Sequence, residues 1–458
     1  MAGIRKGVRF VSHWAGRGPV GKNVELTVAK QGARHTRILE GNTQDVLVVG
    51  AACSECFSGE NLAQILMPGL DYEREAVEKM SKNLAAGPLS IHTSAGVPKA
   101  LPSLLDELGS HLWGSPEDWF ASFQIEGASA VNAGIDLLAQ LRHVEEGVSL
   151  EDMKVAVSAM SYHGPASSSF GSGKPLGQKN GQVMYPVPCY FEKLSGESLS
   201  DFNARKLGEF KEFLSIHGDS ITVMLIEPQW GSSLAAQPWD PNILSEYIQM
   251  ARKYDIKILS DEVMCGLGRH GYPDIFLSKS WNLDVDAVTF GKAIGGGVFP
   301  ISGVAVRRGG ETLREAKRSA LQSHTYAASS VRALFTATEV LRAASLYSEE
   351  IKWRGELLGS LLQKAADRSG GLLIHHGLGL MRGLAWSRES FALDFEKRKQ
   401  ANIIIRNNFA QKGVCPYFVD LGCMFSPIYD ISESDLRESG KRTLDAIEDS
   451  LYQLQQLL

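Results

Sequence analysis

Along the middle of the chain, short apolar runs alternate with segments whose apolar residues recur at helical spacing. Trp119 to Ile125 reads as a strand, Gly127 to Arg142 as a helix and Lys154 to Met160 as a strand. Ile221 to Ile226 is an uninterrupted apolar run of the kind buried on both faces, and a helix is expected from about Pro241. Ile256 to Leu259 then runs into Ser260-Asp261-Glu262, and Ala287 to Phe290 runs into Gly291-Lys292. Strands alternating with helices predict an α/β fold with a mainly parallel sheet flanked by helices. From about Leu346 the pattern changes to a long amphipathic helix, then Gly379 to Trp386, a helix near Phe395 to Gln411 and a terminal helix after Ser432.

Three regions follow: residues 1–70 as an N-terminal arm and part of a small lobe, 71–345 as a large domain, and 346–458 as a smaller α+β C-terminal lobe. A chain of 458 residues is long enough for that division. With 44% hydrophobic and 22% charged residues, it is composed like a packed globular protein. A net charge of -5 gives no electrostatic reason to bind nucleic acid, and no apolar stretch approaches the length of a membrane span. Small-molecule ligands are the expectation, with no nucleic acid and no membrane as partners.

Arg5, Lys6, Arg9, Arg17, Lys22, Lys30, Arg34 and Arg37 face a single early acid, Glu25. Serine is scarce there, so a basic arm lying across a partner subunit is preferred to a transit peptide, and the cytoplasm is the expected location. Six cysteines are too few for a disulfide scaffold. Cys53 and Cys56 have metal-like spacing, but no second Cys or His pair accompanies them, and no metal is expected.

In parallel sheets ligands sit beyond the carboxyl ends of the strands, and Glu227, Asp261 and Lys292 all follow apolar strands closely. Lys292, at a buried strand end among glycines, is placed for desolvation and so for nucleophilic use, although a lysine there can also reach solvent. It is not a nucleotide-loop lysine, because Ala293 follows it and most glycines come after it. Gly377-Leu-Gly-Leu-Met-Arg-Gly likewise fails the dinucleotide spacing and reads as a turn. Asp261 alone could cap a helix, bind a metal or pair with a protonated pyridine nitrogen. Together, an acid for the nitrogen and a lysine for the aldehyde are the two fixed points a pyridoxal ring needs.

Ser260-Asp261-Glu262-Val263-Met264-Cys265-Gly266-Leu267-Gly268-Arg269, followed by Thr289-Phe290-Gly291-Lys292, resembles the signature of class III pyridoxal 5'-phosphate-dependent aminotransferases. The resemblance runs from about Val24 to the C-terminus and implies pyridoxal-phosphate fold type I. It implies that Lys292 holds the cofactor as a Schiff base, that Asp261 pairs with the ring nitrogen, and that Val263 packs on one ring face. Met264 stands where many relatives have Gln. Ser161-Tyr162-His163-Gly164 resembles the element whose aromatic ring, here Tyr162, stacks on the other face. Gly127 and Ala128 open the helix that holds the phosphate, and Thr325 matches a threonine reaching it from a second subunit, which implies a homodimer. Glu227, in Glu227-Pro-Gln-Trp-Gly231, resembles an acid beside cofactor and substrate.

The implied activity is transfer of an amino group from an amine or amino acid to an oxo acid. Aminomutases, epimerases, decarboxylases and lyases share these motifs, and a non-catalytic relative would share the fold. Two departures stand out. Glu126 occupies the position before the phosphate turn, where relatives usually carry Ser, and an unpaired carboxylate beside phosphate is costly. Between Gln411 and Asp435 there is no arginine to grip a substrate carboxylate, and Cys423 stands near the expected position. The expected substrate is then an amine or amino alcohol, a bulky acyl chain, or an amino acid whose carboxylate is held by Arg269, Arg382 or an N-terminal arginine instead.

Overall fold

A computed structural model describes residues 24–39, 42–50, 53–66, 100–149, 153–164, 181–307, 330–391 and 395–457. At its centre, seven strands form one sheet: β4 Trp119–Gln124, β5 Lys154–Ser158, β6 Gln182–Tyr185, β7 Ile221–Ile226, β8 Lys257–Asp261, β9 Ala287–Phe290 and β10 Ser302–Arg307, preceded in the chain by β1 to β3 described below. Their order is β4-β10-β9-β8-β7-β5-β6. Strands β9, β8, β7, β5 and β6 pair in parallel, whereas β10 runs antiparallel to both its neighbours. Every residue of β7 and β9 is buried, as central strands covered on both faces must be.

The register brings the carboxyl ends level: Ile226 pairs with Ser260, and Asp261 with Thr289. Residues immediately beyond these positions therefore emerge along one edge. The helix Gly127–Glu146 starts at that edge and packs its Val131, Ile135 and Leu138 against the sheet. The helix Pro241–Arg252 begins as its sequence dictates, with proline in its first turn and the Asp240 carboxylate accepting from the amides of Asn242 and Ile243.

A second sheet carries β11 Leu373–Leu378, β12 Met381–Trp386, β14 Tyr417–Val419 and β15 Gly422–Phe425, in the order β11-β12-β15-β14 and antiparallel throughout. A third joins the meander β1 Val24–Gln31, β2 Arg34–Leu39 and β3 Asn42–Val48 to β13 Val414–Cys415, which runs parallel to β3. The early residues and the C-terminal part of the chain thus share one sheet. Among the described residues, no helix is long and apolar enough to cross a membrane.

The long helix expected from about Leu346 is Ser348–Arg368, and a separate helix, Val331–Leu346, precedes it. Tyr347 makes the break: its ring meets Phe57 edge-on at 4.9 Å and its hydroxyl accepts from Asn61 at 2.8 Å, a tertiary anchor that periodicity does not reveal. Gly377 and Gly379, both with positive φ, sit at the junction of β11 and β12, where a turn was expected. All six cysteines are free.

Candidate active site

A cavity of about 470 Å³ opens at the carboxyl edge of the central sheet. Strand ends supply its wall: Glu126, Gly127 and Ala128 after β4, Tyr162, His163 and Gly164 after β5, Glu227, Gln229, Gly231 and Ser232 after β7, Asp261, Val263 and Met264 from β8 onward, and Lys292 after β9. Tyr417 of β14 reaches in from the other lobe. Lys292, Asp261, Glu227, Gly127, Ala128, Tyr162, Val263 and Met264 are therefore brought together. Thr325 lies outside the described residues.

Lys292 is partly buried and has φ of 46°, the left-handed region that a residue with a Cβ adopts at a cost of about 1–2 kcal/mol. Its neighbours explain why the conformation is held: Ile294 and Gly296 close backbone turns onto Gly291 and Ala293. Val263 is wedged under the site. A Cβ on Gly127 would come within 2.7 Å of a Val263 methyl, and one on Gly291 within 3.2 Å of the same methyl and 3.7 Å of the Gly127 Cα. The start of the 127–146 helix thus abuts the residue before Lys292.

The same cavity wall carries a buried charge cluster. Nδ1 of His163 is 2.7 Å from Oδ2 of Asp261, whose other oxygen accepts from the Thr289 hydroxyl at 3.0 Å and the Val263 amide at 3.1 Å. Glu227 accepts from the Tyr162 amide at 3.1 Å and lies 3.8 Å from the same imidazole nitrogen. Burial opposes ionisation of Asp261, but the hydrogen bond and charge of His163, aided by the Val263 amide and Lys292, hold its carboxyl below the usual range. Burial likewise opposes the imidazolium, yet the Asp261 hydrogen bond and the field of Glu227 raise the His163 pKa. Glu227 is pushed up to about 7, chiefly by burial, with His163 opposing and Asp261 reinforcing. The three side chains could be mistaken for a metal set, but Nδ1 of His163 and Oδ2 of Asp261 already satisfy each other.

Glu262, adjacent in sequence to Asp261, points the other way. It accepts from the amides of Leu277 and Ser278 at 2.5 and 2.9 Å and from the Ser278 hydroxyl, locking a loop beneath the sheet. The alternation of a strand sends one acid to the cavity and the next to the core.

The two arginines numbered as candidates for a carboxylate grip are engaged elsewhere. Arg269 is fully buried, donates to the carbonyls of Leu380, Pro427 and Glu55, and lies over the Tyr429 ring at 4.7 Å. Arg382 donates to the carbonyls of Gly377 and Gly379. Cys423 is buried in the core against β12. Among the described residues, none lining the cavity is an arginine. Glu126 does line it, with its carboxylate exposed and accepting from the Ser129 hydroxyl at 3.3 Å.

Sequence reasoning did not assign His163, Gln229, Ser232 or Tyr417 to the site. Adjacency to Tyr162 was the one available signal for His163; the others depend on how the loop after β7 and the second lobe pack.

The residues present suit pyridoxal 5'-phosphate. Asp261 offers the cavity an ionised acceptor and Lys292 an amine, while Gly127, Gly164 and Gly231 leave space that a side chain could not share with its neighbours. The buried Nε2 of His163 has no hydrogen-bond partner.

A model of the family described as aminotransferase class-III matches residues 74–447. Among curated proteins, an uncharacterized aminotransferase, YodT of Bacillus subtilis, is 26% identical over 259 residues, covering 54% of this chain and 58% of its own. The vanillin aminotransferase of Capsicum chinense is 29% identical over 163 residues, 33% of this chain and 35% of its own. The chain thus spans from about a third to somewhat over half the length of these relatives. Among solved structures, an (S)-enantioselective omega-transaminase from Thermomicrobium roseum superposes with a TM-score of 0.78 at 22% identity, over 93% of this chain and 92% of that one. A PMP-bound aminotransferase from Vibrio fluvialis gives 0.77 at 18% identity, over 94% of each. These two show a shared fold.

Proposed function

The chain belongs to the class III aminotransferases, and from that premise we propose that it moves an amino group from an amine or amino acid to an oxo acid with pyridoxal 5'-phosphate. Its architecture is that of fold type I, a large sheet domain with a smaller lobe. The observation that carries the reading is that Lys292 and Asp261 line one cavity, with Val263 between the phosphate-side helix and the lysine loop.

When bound, the cofactor supplies an aldehyde that condenses with amines and a protonated pyridine ring that takes up an electron pair. Lys292 would serve as its covalent anchor, and its free amine would be the group to move a proton at the substrate carbon. Asp261 holds the proton on the ring nitrogen, and its ionised state is maintained by His163. Tyr162 and Val263 would hold the ring between them, and the amides of Gly127 and Ala128 at the helix start would bind the phosphate. Glu227, half-protonated near neutrality, fixes the Tyr162 loop through its backbone amide. The reading includes a homodimer in which Thr325 completes the phosphate site across the interface.

The test is to add candidate amines one at a time, without any oxo acid, to protein loaded with cofactor. Bleaching of the lysine-bound absorption toward pyridoxamine phosphate is expected with the true donor, and Lys292→Ala should bind cofactor without developing that absorption. Wild type that never develops it, even with cofactor supplied in excess, refutes the reading.

A further inference from the structure

Resting on that functional reading, we infer that Glu126 works against the cofactor's phosphate, so that this protein holds pyridoxal 5'-phosphate about tenfold more loosely than it would with a neutral residue there, while its hold on unphosphorylated pyridoxal is unaffected. The position of the phosphate follows from the cavity itself. The ring nitrogen and the aldehyde lie para to each other, and the phosphate arm branches from the carbon next to the aldehyde. With the ring nitrogen on Asp261 and the aldehyde on Lys292, the arm would lie on the Lys292 side, where the Gly127 Cα packs against Gly291. Anion donors available there are the free amides of the first helical turn, since no arginine lines the cavity among the described residues.

Glu126 is the residue before that turn. Its backbone carbonyl takes the first helical hydrogen bond, from Ala130, while its side chain caps none of the amides. The carboxylate lines the cavity, is exposed, and has the Ser129 hydroxyl as its partner. Without a ligand the arrangement is favourable, because a negative charge at a helix start is stabilised by the aligned peptide dipoles. With a phosphate on the same amides, two anions share one helix end. A doubly charged phosphate about 5–6 Å from a carboxylate in near-aqueous dielectric raises the dissociation constant by about tenfold. Pyridoxal lacks the phosphate and escapes this penalty.

The experiment titrates cofactor-free wild type, Glu126→Ser and Glu126→Gln with pyridoxal 5'-phosphate and, separately, with pyridoxal, following the lysine-bound absorption as the binding signal. Removing the charge should tighten the phosphate form about tenfold in both variants and change pyridoxal less than twofold, with the gap narrowing as salt is raised. Equal ratios of the two affinities in all three proteins would overturn the inference while leaving the aminotransferase reading intact. Tightening in Glu126→Ser alone would also overturn it, since a hydroxyl contact rather than charge would then be responsible. Absence of any lysine-bound absorption with either compound in every protein would refute the functional reading, and this inference with it.

Discussion

Replacing His163 by Phe keeps a ring in the buried space and removes the cation hydrogen-bonded to Asp261. In cofactor-free protein, His163 and Asp261 are 2% and 7% exposed, and the pair is closed at 2.7 Å. Without the imidazolium, Asp261 retains the Thr289 hydroxyl and the Val263 amide, both neutral donors. The carboxylate then does best by taking up a proton, and the cost of doing so measures what the pair contributes. Unfolded, Asp261 ionises at 3.8 and His163 at 6.5. In the native state the aspartate value is depressed, so its contribution is present above 3.8 and lost as pH falls through the folded value. The histidine value is raised, so its contribution is complete below 6.5 and lost as pH rises through the folded value.

The loss in His163→Phe should therefore grow between pH 5 and pH 6.5, by up to about 1.4 kcal/mol per pH unit for as long as Asp261 keeps its proton in the folded variant. Above 6.5 it levels, because unfolded wild type then releases its histidine proton while the folded protein keeps it, so wild type loses stability as well. Urea unfolding of the cofactor-free proteins at the two pH values measures the difference. A loss that is the same at both, or below about 1 kcal/mol at pH 6.5, would show that Asp261 does not depend on His163 for its charge.

Glu227→Gln should behave oppositely: with a folded value of about 7 against 4.5 unfolded, Glu227 destabilises progressively as pH rises, so the variant should match wild type near pH 4.5 and exceed it by up to about 3 kcal/mol at pH 8. Unfolding curves at both pH values decide it, and a less stable variant at pH 8 would contradict the assignment. Gly164→Ala should lose about 2 kcal/mol or more, because φ is 89° and the new methyl would lie 2.4 Å from the Ala128 Cβ; an unchanged melting temperature would be inconsistent with this packing. Arg269→Met should cost about 3 kcal/mol or more by stranding the carbonyls of Leu380, Pro427 and Glu55, while cofactor absorption at saturation stays as in wild type. Loss of that absorption in a folded Arg269→Met protein would place the arginine in the site after all.

What the sequence made legible was governed by local rules. Buried strands announce themselves as apolar runs, and Ile221–Ile226 and Ala287–Phe290 begin and end where the pattern does. The polar residues that follow them fall at one edge because parallel strands share a direction, so Lys292, Asp261 and Glu227 could be grouped before any coordinates. The antiparallel strand Ser302–Arg307 was not legible, since nothing local fixes which way a strand enters a sheet. The β1 to β3 meander was missed as well: its partner β13 lies more than three hundred residues away.

Charge was harder to read than geometry, for a physical reason. Whether an ionisable side chain is an anchor, a core contact or a liability depends on which partners it has, and partners are set by packing across the whole fold. Arg269 and Glu262 both sit inside the signature that carries Asp261, yet both are spent on backbone groups of the core. His163, which attracted little notice in the sequence, is the group that keeps Asp261 ionised. The same accounting isolates Glu126, which keeps a neutral hydroxyl as its partner on the cavity wall. With Arg269 and Arg382 committed to carbonyls, no guanidinium among the described lining residues offsets that carboxylate or offers a grip to a substrate carboxylate. Among the described lining residues, one shortage of positive charge thus bears on both departures from the family pattern, the acid before the phosphate turn and the missing grip for a substrate carboxylate.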